Sequence, residues 1–346
     1  MRIAVIGAGA MGSIYGGHLA LQNEVYLVDT NSEVVRTINE KGITLEENGE
    51  DHIYRPKAVT DTSGLPEMDL VILFVKALFS RAALNGNRGL IGKDTYLLTL
   101  QNGSGHEDIL GEFVPVDHII IGTTEDQGTI LGMAHIRHGG TGGTNLGMLA
   151  PDTQGMLPKL KETMDACGFR AKIHENIQQL IWNKLFVNVA LSAVTAVLNV
   201  KMGFIAKDPY AFALARQLLH EAVTVAHALG LEADEEHLLE EIKETSERVP
   251  EGITSICADL SKGRKTEVDT ISGSVVRAAK KCGVEVPAHE FLVNMVHAME
   301  DRGEELGGFP IAPLINAGAT GTCAPSALGF DREKYSLMKD RGDYNQ

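Results

Sequence analysis

Near the start of the chain, the residues Gly7-Ala8-Gly9-Ala10-Met11-Gly12 carry the spacing G-x-G-x-x-G. They follow the apolar run Arg2 to Ile6 and precede a segment compatible with a helix. In that context three glycines suit a phosphate cradle. The first permits a tight turn, the second lets backbone approach a pyrophosphate, and the third lets a helix pack on the strand with its N-terminus facing the phosphates. Gly7, Gly9, Ala10, Met11 and Gly12 are therefore candidate dinucleotide contacts. Asp29 closes the next apolar run, about 20 residues beyond the loop, where a carboxylate accepts from adenosine ribose hydroxyls and repels a 2′-phosphate. That placement favours NAD over NADP. Arg36 is the nearby basic residue able to accommodate a 2′-phosphate, and a turn-capping role with Thr30-Asn31-Ser32 is the other reading of Asp29.

A second set of reactive types lies in Ile181 to Thr195, a largely apolar stretch in which Lys184, Asn188, Ser192 and Thr195 fall at i, i+4, i+8 and i+11. Helical periodicity puts them on one narrow stripe. Such a stripe lines a cleft, satisfies a buried network, or is simply solvated. A lysine in a desolvated wall has a lowered pKa and gives up its proton more easily at neutral pH. Lys76 ends the apolar run 69–75, and Asn102 follows the run 95–100. Open parallel sheets bind ligands outside the carboxyl ends of their strands. Both residues are thus placed to meet a nicotinamide, its ribose or an anionic substrate.

The elements that must position these groups divide the chain. Strands are expected at 2–6, 24–28, 69–75, 95–100 and 118–121, with small residues between the first two that permit close helix-to-sheet packing. Further strands are expected at 134–138, 144–148 and 170–173, with a hairpin about Gly139 to Gly143. From Asn176 the periodicity turns helical, with helices expected at 177–200, 210–229, 235–248, 253–262, 266–282 and 288–302. The fold class is α/β: an N-terminal Rossmann unit, a doubly wound parallel sheet over residues 1–175, followed by an all-helical unit over 176–306. A Gly/Pro/Ala-rich and then charged extension covers 307–346.

Length agrees, since 346 residues at roughly 150 per domain make about two domains. A formal net charge of −15, with no long Lys/Arg run, argues against nucleic acid and anionic membranes as partners. The apolar stretch 180–200 is about long enough to span a bilayer, but Lys184 and Asn188 near its middle argue for a core helix. Without a cleavable leader pattern a cytoplasmic location is expected. Cys167, Cys257, Cys282 and Cys323 form no CxxC pair, so reduced thiols are expected. P-loop, zincin and nucleophile-elbow motifs are missing, and His135-x-x-His138 brings no carboxylate at ligand spacing, so no metal is expected.

Taken together, the glycine loop, Val75-Lys76-Ala77, Leu100-Gln101-Asn102-Gly103, Trp182-x-Lys184-Leu185-x-x-Asn188 and Ser255…Gly263-Arg264-x-Thr266-Glu267-Val268-Asp269 resemble the ketopantoate reductase (2-dehydropantoate 2-reductase) family over about residues 1–305. The resemblance implies a cleft between a Rossmann unit and a helical unit, with Lys184 as the general acid that protonates the alkoxide formed by hydride transfer to a keto carbon. It also implies that Asn188, Ser192, Ser255 and Asn102 bind substrate, and that Lys76, Asn102 and Glu267 contact the cofactor. A homodimer is the assembly expected.

Two departures from the family pattern bear on specificity. Ser192-Ala193-Val194-Thr195 stands where the family commonly has a second Asn followed by Pro, and Asp29 replaces the basic residue of NADP-preferring members. An NAD-dependent D-2-hydroxyacid dehydrogenase of another bulky 2-keto acid is therefore an alternative. A non-catalytic NAD-binding sensor is a third reading.

Overall fold

The computed structural model describes residues 1–139 and 143–305, the last two of these by backbone alone. The extension expected at 307–346 lies outside the described residues. The strands are β1 (Arg2–Ile6), β2 (Glu24–Val28), β3 (Ile43–Glu47), β4 (Glu50–Tyr54), β5 (Lys57–Val59), β6 (Leu70–Leu73), β7 (Tyr96–Thr99), β8 (Ile119–Thr124), β9 (Gln127–Gly132), β10 (His135–Gly139), β11 (Gly143–Met148) and β12 (Arg170–Ile173). The α-helices of the first half are α1 (Ala10–Leu19), α2 (Ser32–Lys41), α3 (Ser80–Gly86), α4 (His106–Leu110) and α5 (Met156–Ala166). Those of the second half are α6 (Ile177–Leu198), α7 (Gly203–Lys207), α8 (Pro209–Ala228), α9 (Glu235–Arg248), α10 (Ser255–Ser261), α11 (Ser272–Cys282) and α12 (Pro287–Glu305).

Eight strands form the main sheet in the order β12-β11-β8-β7-β6-β1-β2-β5. From β8 to β5 every neighbouring pair is parallel, while β11 runs antiparallel to β8. Starting at β1 the chain moves to one edge and returns to build the other, which is the doubly wound order expected. The central strands are continuous apolar runs because both faces are covered. Alternation along β1 divides them: Ile3 and Val5 pack on the face covered by α1, whereas Ala4 and Ile6 join the face that receives Ile177 and Ile181 of α6.

A four-stranded sheet, β4-β3-β10-β9, was not expected. It also corrects the hairpin at Gly139 to Gly143, because β10 pairs with β3 and β9 while β11 pairs with β8 and β12 in the main sheet. Its strands are short and largely polar. All of β4 lies at the surface or nearly so, leaving little apolar alternation to read.

The second half is helical as expected, with α6 as its buried axis. Asn176 caps α6 by accepting from Gln179 N–H, and Asp208 caps α8 by accepting from Tyr210 and Ala211 N–H ahead of Pro209 at the first turn. By length and apolarity α6 would cross a membrane, but here it is packed inside the helical core. The helix expected over 266–282 starts only at Ser272. Thr266 explains the delay: its N–H and hydroxyl both donate to the buried Glu300 carboxylate, at 2.7 and 2.6 Å, while its hydroxyl oxygen accepts from Val268 N–H. That local bonding competes with a helical turn.

Candidate active site

The glycine loop leaves the carboxyl end of β1 and enters α1 with the geometry its spacing predicts. Gly7 has φ +104°, and a side chain there would meet the Val75 backbone nitrogen at 2.8 Å. A Cβ on Gly12 would lie 1.8 Å from the Gly7 carbonyl oxygen. Gly9, the N-cap residue of α1, has nothing within 4 Å of where its Cβ would be and supplies no capping side chain. The first N–H groups of a helix lack intrahelical acceptors, so backbone donors border open space at the positive end of α1. Gly9, Ala10 and Met11 front that space, and the cradle fits a dinucleotide pyrophosphate.

Asp29 caps the turn that follows β2 and also reaches the glycine loop. One carboxylate oxygen accepts from Ala8 N–H at 2.8 Å, tying the end of β2 to the glycine loop, and the other accepts from Asn31 N–H at 2.9 Å to close the turn. Each oxygen keeps lone-pair capacity for a ribose hydroxyl.

At the carboxyl ends of β1, β6, β7 and β8 lies a cavity of about 310 Å³ whose walls include Met11, Lys76, Asn102, Asp126, Lys184 and Glu267. Lys184 comes from α6 and Asn102 from beyond β7, and the Lys184 ammonium donates to Asn102 Oδ1 at 3.0 Å. Burial pushes the Lys184 pKa down, against the opposing pull of the Glu125 and Glu267 carboxylates. Glu267 lies on the 266–271 turn and accepts from Ala77 N–H at 3.3 Å. Desolvation raises its pKa, against the Ala77 hydrogen bond and the charge of Lys76. Lys76 is paired across the cleft with Asp259 of α10 at 2.8 Å and also donates to the Lys265 carbonyl at 3.4 Å.

The remaining predicted residues lie deeper or farther out. Asn188 and Ser192 are buried one and two turns beyond Lys184, with the Ser192 hydroxyl donating to Asn188 Oδ1 at 3.3 Å. Thr195 is turned into the core against Thr254. Ser255 is exposed at the first residue of α10 and is not part of the cavity wall. Four residues before Asp259, it shares the helix face that meets Lys76.

Two groups escaped the sequence reading. Asp126 and Gln127, which lead from β8 into the small sheet, also line the cavity. Behind Asp126 runs a chain of charge. His138 bridges Asp126 at 3.2 Å and Glu47 at 2.7 Å, and Glu47 in turn contacts His18 of α1 at 2.9 Å and accepts from the Tyr54 hydroxyl at 2.7 Å. The two carboxylates hold His138 up at about 9. His135 falls in a different cluster, with Glu46 and Asp51, because residues an odd number apart point to opposite faces of a strand. The second missed group is His106, which lies under the Asn102 loop.

Comparison with known proteins places this geometry. Residues 3–151 match the family described as Ketopantoate reductase PanE/ApbA, and residues 176–300 match Ketopantoate reductase PanE/ApbA C terminal. A 2-dehydropantoate 2-reductase of Streptococcus pyogenes serotype M6 is 30% identical over 302 residues, covering 87% of this chain and 98% of that protein. Among solved structures, a ternary complex of D-mandelate dehydrogenase with NADH and anilino(oxo)acetate is 33% identical with a TM-score of 0.78, covering 87% of this chain and 99% of the other. A PanE/ApbA family ketopantoate reductase from Ralstonia eutropha JMP134 is 28% identical with a TM-score of 0.78, covering 88% and 100%.

Proposed function

This chain belongs to the ketopantoate reductase family, and we propose that it reduces 2-dehydropantoate to pantoate with a reduced nicotinamide dinucleotide. The observation that carries the reading is the Lys184 ammonium, half-buried on α6 and held by Asn102 in a cavity that also reaches the glycine loop at Met11. The reduced nicotinamide, when bound, supplies a hydride to the keto carbon. Lys184 donates a hydrogen bond to the keto oxygen, stabilises the developing alkoxide by its charge, and delivers the proton. Its lowered pKa makes that delivery easier, and the amide of Asn102 orients one N–H while leaving two for the substrate. Asn188, whose amide oxygen is taken by Ser192, keeps N–H groups to donate to a substrate oxygen, and Ser255 borders the same entrance. The glycine loop, Asp29, Lys76 and Glu267 bind the cofactor.

We favour NAD because the Asp29 carboxylate stands at the end of β2 beside the loop, where it repels a 2′-phosphate. A second reading, an NAD-dependent D-2-hydroxyacid dehydrogenase acting on another bulky 2-keto acid, is supported by Ser192 and by the likeness to D-mandelate dehydrogenase. We also propose a cytoplasmic homodimer with the boundary between its cofactor and substrate units at 175/176. Light scattering tests the assembly.

Loss of reduced-nicotinamide absorbance with NADH or NADPH and a panel of ketopantoate, 2-ketoisovalerate, phenylglyoxylate and pyruvate tests the function. Fast turnover of ketopantoate is expected. Turnover of phenylglyoxylate alone supports the second reading, and NADH binding with no turnover of any panel member supports a sensor.

A further inference from the structure

We propose that His106 is a positioning residue for proton delivery, holding Asn102 where its side chain can hold the Lys184 ammonium. The inference rests on the reading of Lys184 as the proton donor. Asn102 is gripped at two ends: its side-chain oxygen accepts from Lys184 at 3.0 Å, and its main-chain carbonyl lies 3.0 Å from His106 Nε2. A carbonyl oxygen only accepts, so Nε2 carries the hydrogen.

His106 begins α4 and is 6% exposed. Burial, reinforced by the charge of Arg277 on α11, lowers its pKa to about 4, so the ring is neutral and Nδ1 is a bare acceptor. That Nδ1 is buried without a partner. An unmet acceptor destabilises a fold relative to an apolar side chain of the same shape, so packing does not account for a histidine here. The hydrogen bond to Asn102 does.

The loop is braced from its other side by backbone. Gly103 follows Asn102 with φ +95°, and a Cβ on it would lie 2.0 Å from the Thr270 carbonyl oxygen. Ser104 N–H donates to that same oxygen at 2.9 Å. His106 therefore supplies the internal half of the clamp, and the 266–271 turn supplies the external half. Around Lys184 the other charged neighbours are Glu125 and Glu267, both favouring the ammonium. An acceptor at hydrogen-bond distance favours it too, so a displaced Asn102 lets the Lys184 pKa fall further.

The test is a titration of Lys184 in the whole protein, followed by NMR with 13C at lysine Cε and assigned by the signal missing from Lys184→Arg. In His106→Leu the midpoint is expected to fall by about half a pH unit, a roughly threefold change in ionisation constant. In His106→Gln, whose amide N–H reaches as far as Nε2, it is expected to stay. Turnover should follow, with kcat down about tenfold or more in His106→Leu, largely kept in His106→Gln, and KM for NADH unchanged in both. His106→Phe, which keeps the ring's shape, serves if His106→Leu does not fold. An unmoved midpoint in the apolar variants overturns the proposal, as does equal loss of kcat in the leucine and glutamine variants with Lys184 titrating as in the parent. The titration needs no substrate, so a chain that turned over no keto acid would refute the proposed reaction and still leave His106 testable.

Discussion

Two lysines from opposite halves of the molecule meet in one cleft, and they are held differently. Lys76, on the sheet side, is paired with a carboxylate, Asp259, and tethers α10 to the end of β6. Lys184, on the helical side, is held by a neutral amide, with desolvation lowering its pKa. A carboxylate partner fixes a cation and stabilises its charge. An amide partner fixes it while leaving the proton available. The same division holds beneath the cradle, where His138 is charged between Asp126 and Glu47 and serves as a brace. Paired charges here hold the structure in place, and the one held by an amide is the group we propose as proton donor.

Breaking the amide-held lysine should have the largest effect. Lys184→Ala is expected to lower kcat by about 10²- to 10⁴-fold with NADH affinity retained, measured by steady-state kinetics alongside fluorescence titration of the cofactor. If turnover survives within tenfold, the contrast between the two lysines is wrong. Next come the glycines that separate binding from folding. Gly9→Ala should raise Kd for NADH by tenfold or more with an unchanged melting temperature, since its Cβ enters open cradle space. Gly12→Ala should lower the melting temperature itself, because its Cβ would collide with the Gly7 carbonyl. Lys76→Ala should be milder, costing under about 1 kcal/mol of stability, because its side chain is 38% exposed. Chemical denaturation reads that value.

The smallest effect concerns pH. The folded pKa of His138, about 9, lies above its ordinary value, so its stabilisation is complete below about 6.5 and lost as pH rises through 9. Melting temperature should therefore decline between pH 7 and 9 more steeply in the parent than in His138→Gln.

Local chemistry was legible in the sequence, and long-range chemistry was not. The cradle could be read because strand, turn and helix are contiguous, and the G-x-G-x-x-G spacing itself brings Gly12 against the Gly7 carbonyl. Lys184, Asn188 and Ser192 could be read because helical periodicity places them on one stripe. Ser255 and Glu267 emerged only by resemblance, since a serine and a glutamate in a helical region carry no local signal. The turn at Thr266 depends on Glu300, and Asp126 depends on His138 and Glu47, partners that no short window contains. The small sheet escaped because β4 buries almost nothing and its residues show no apolar alternation.

The bond from Ser104 N–H to the Thr270 carbonyl joins the sheet half to the helical half through main chain alone. No side-chain replacement at either position deletes it; only a proline at 104 would remove the donor. Alignment of the two cleft walls is in this respect insulated from their lining. Cavity-wall side chains such as Met11, Gln101 and Gln127 can be exchanged while that seam, with Gly103 making room for it, keeps the walls in register. Substrate choice and wall alignment are thus separately adjustable, and redesign of the pocket can begin from side chains without first rebuilding the frame.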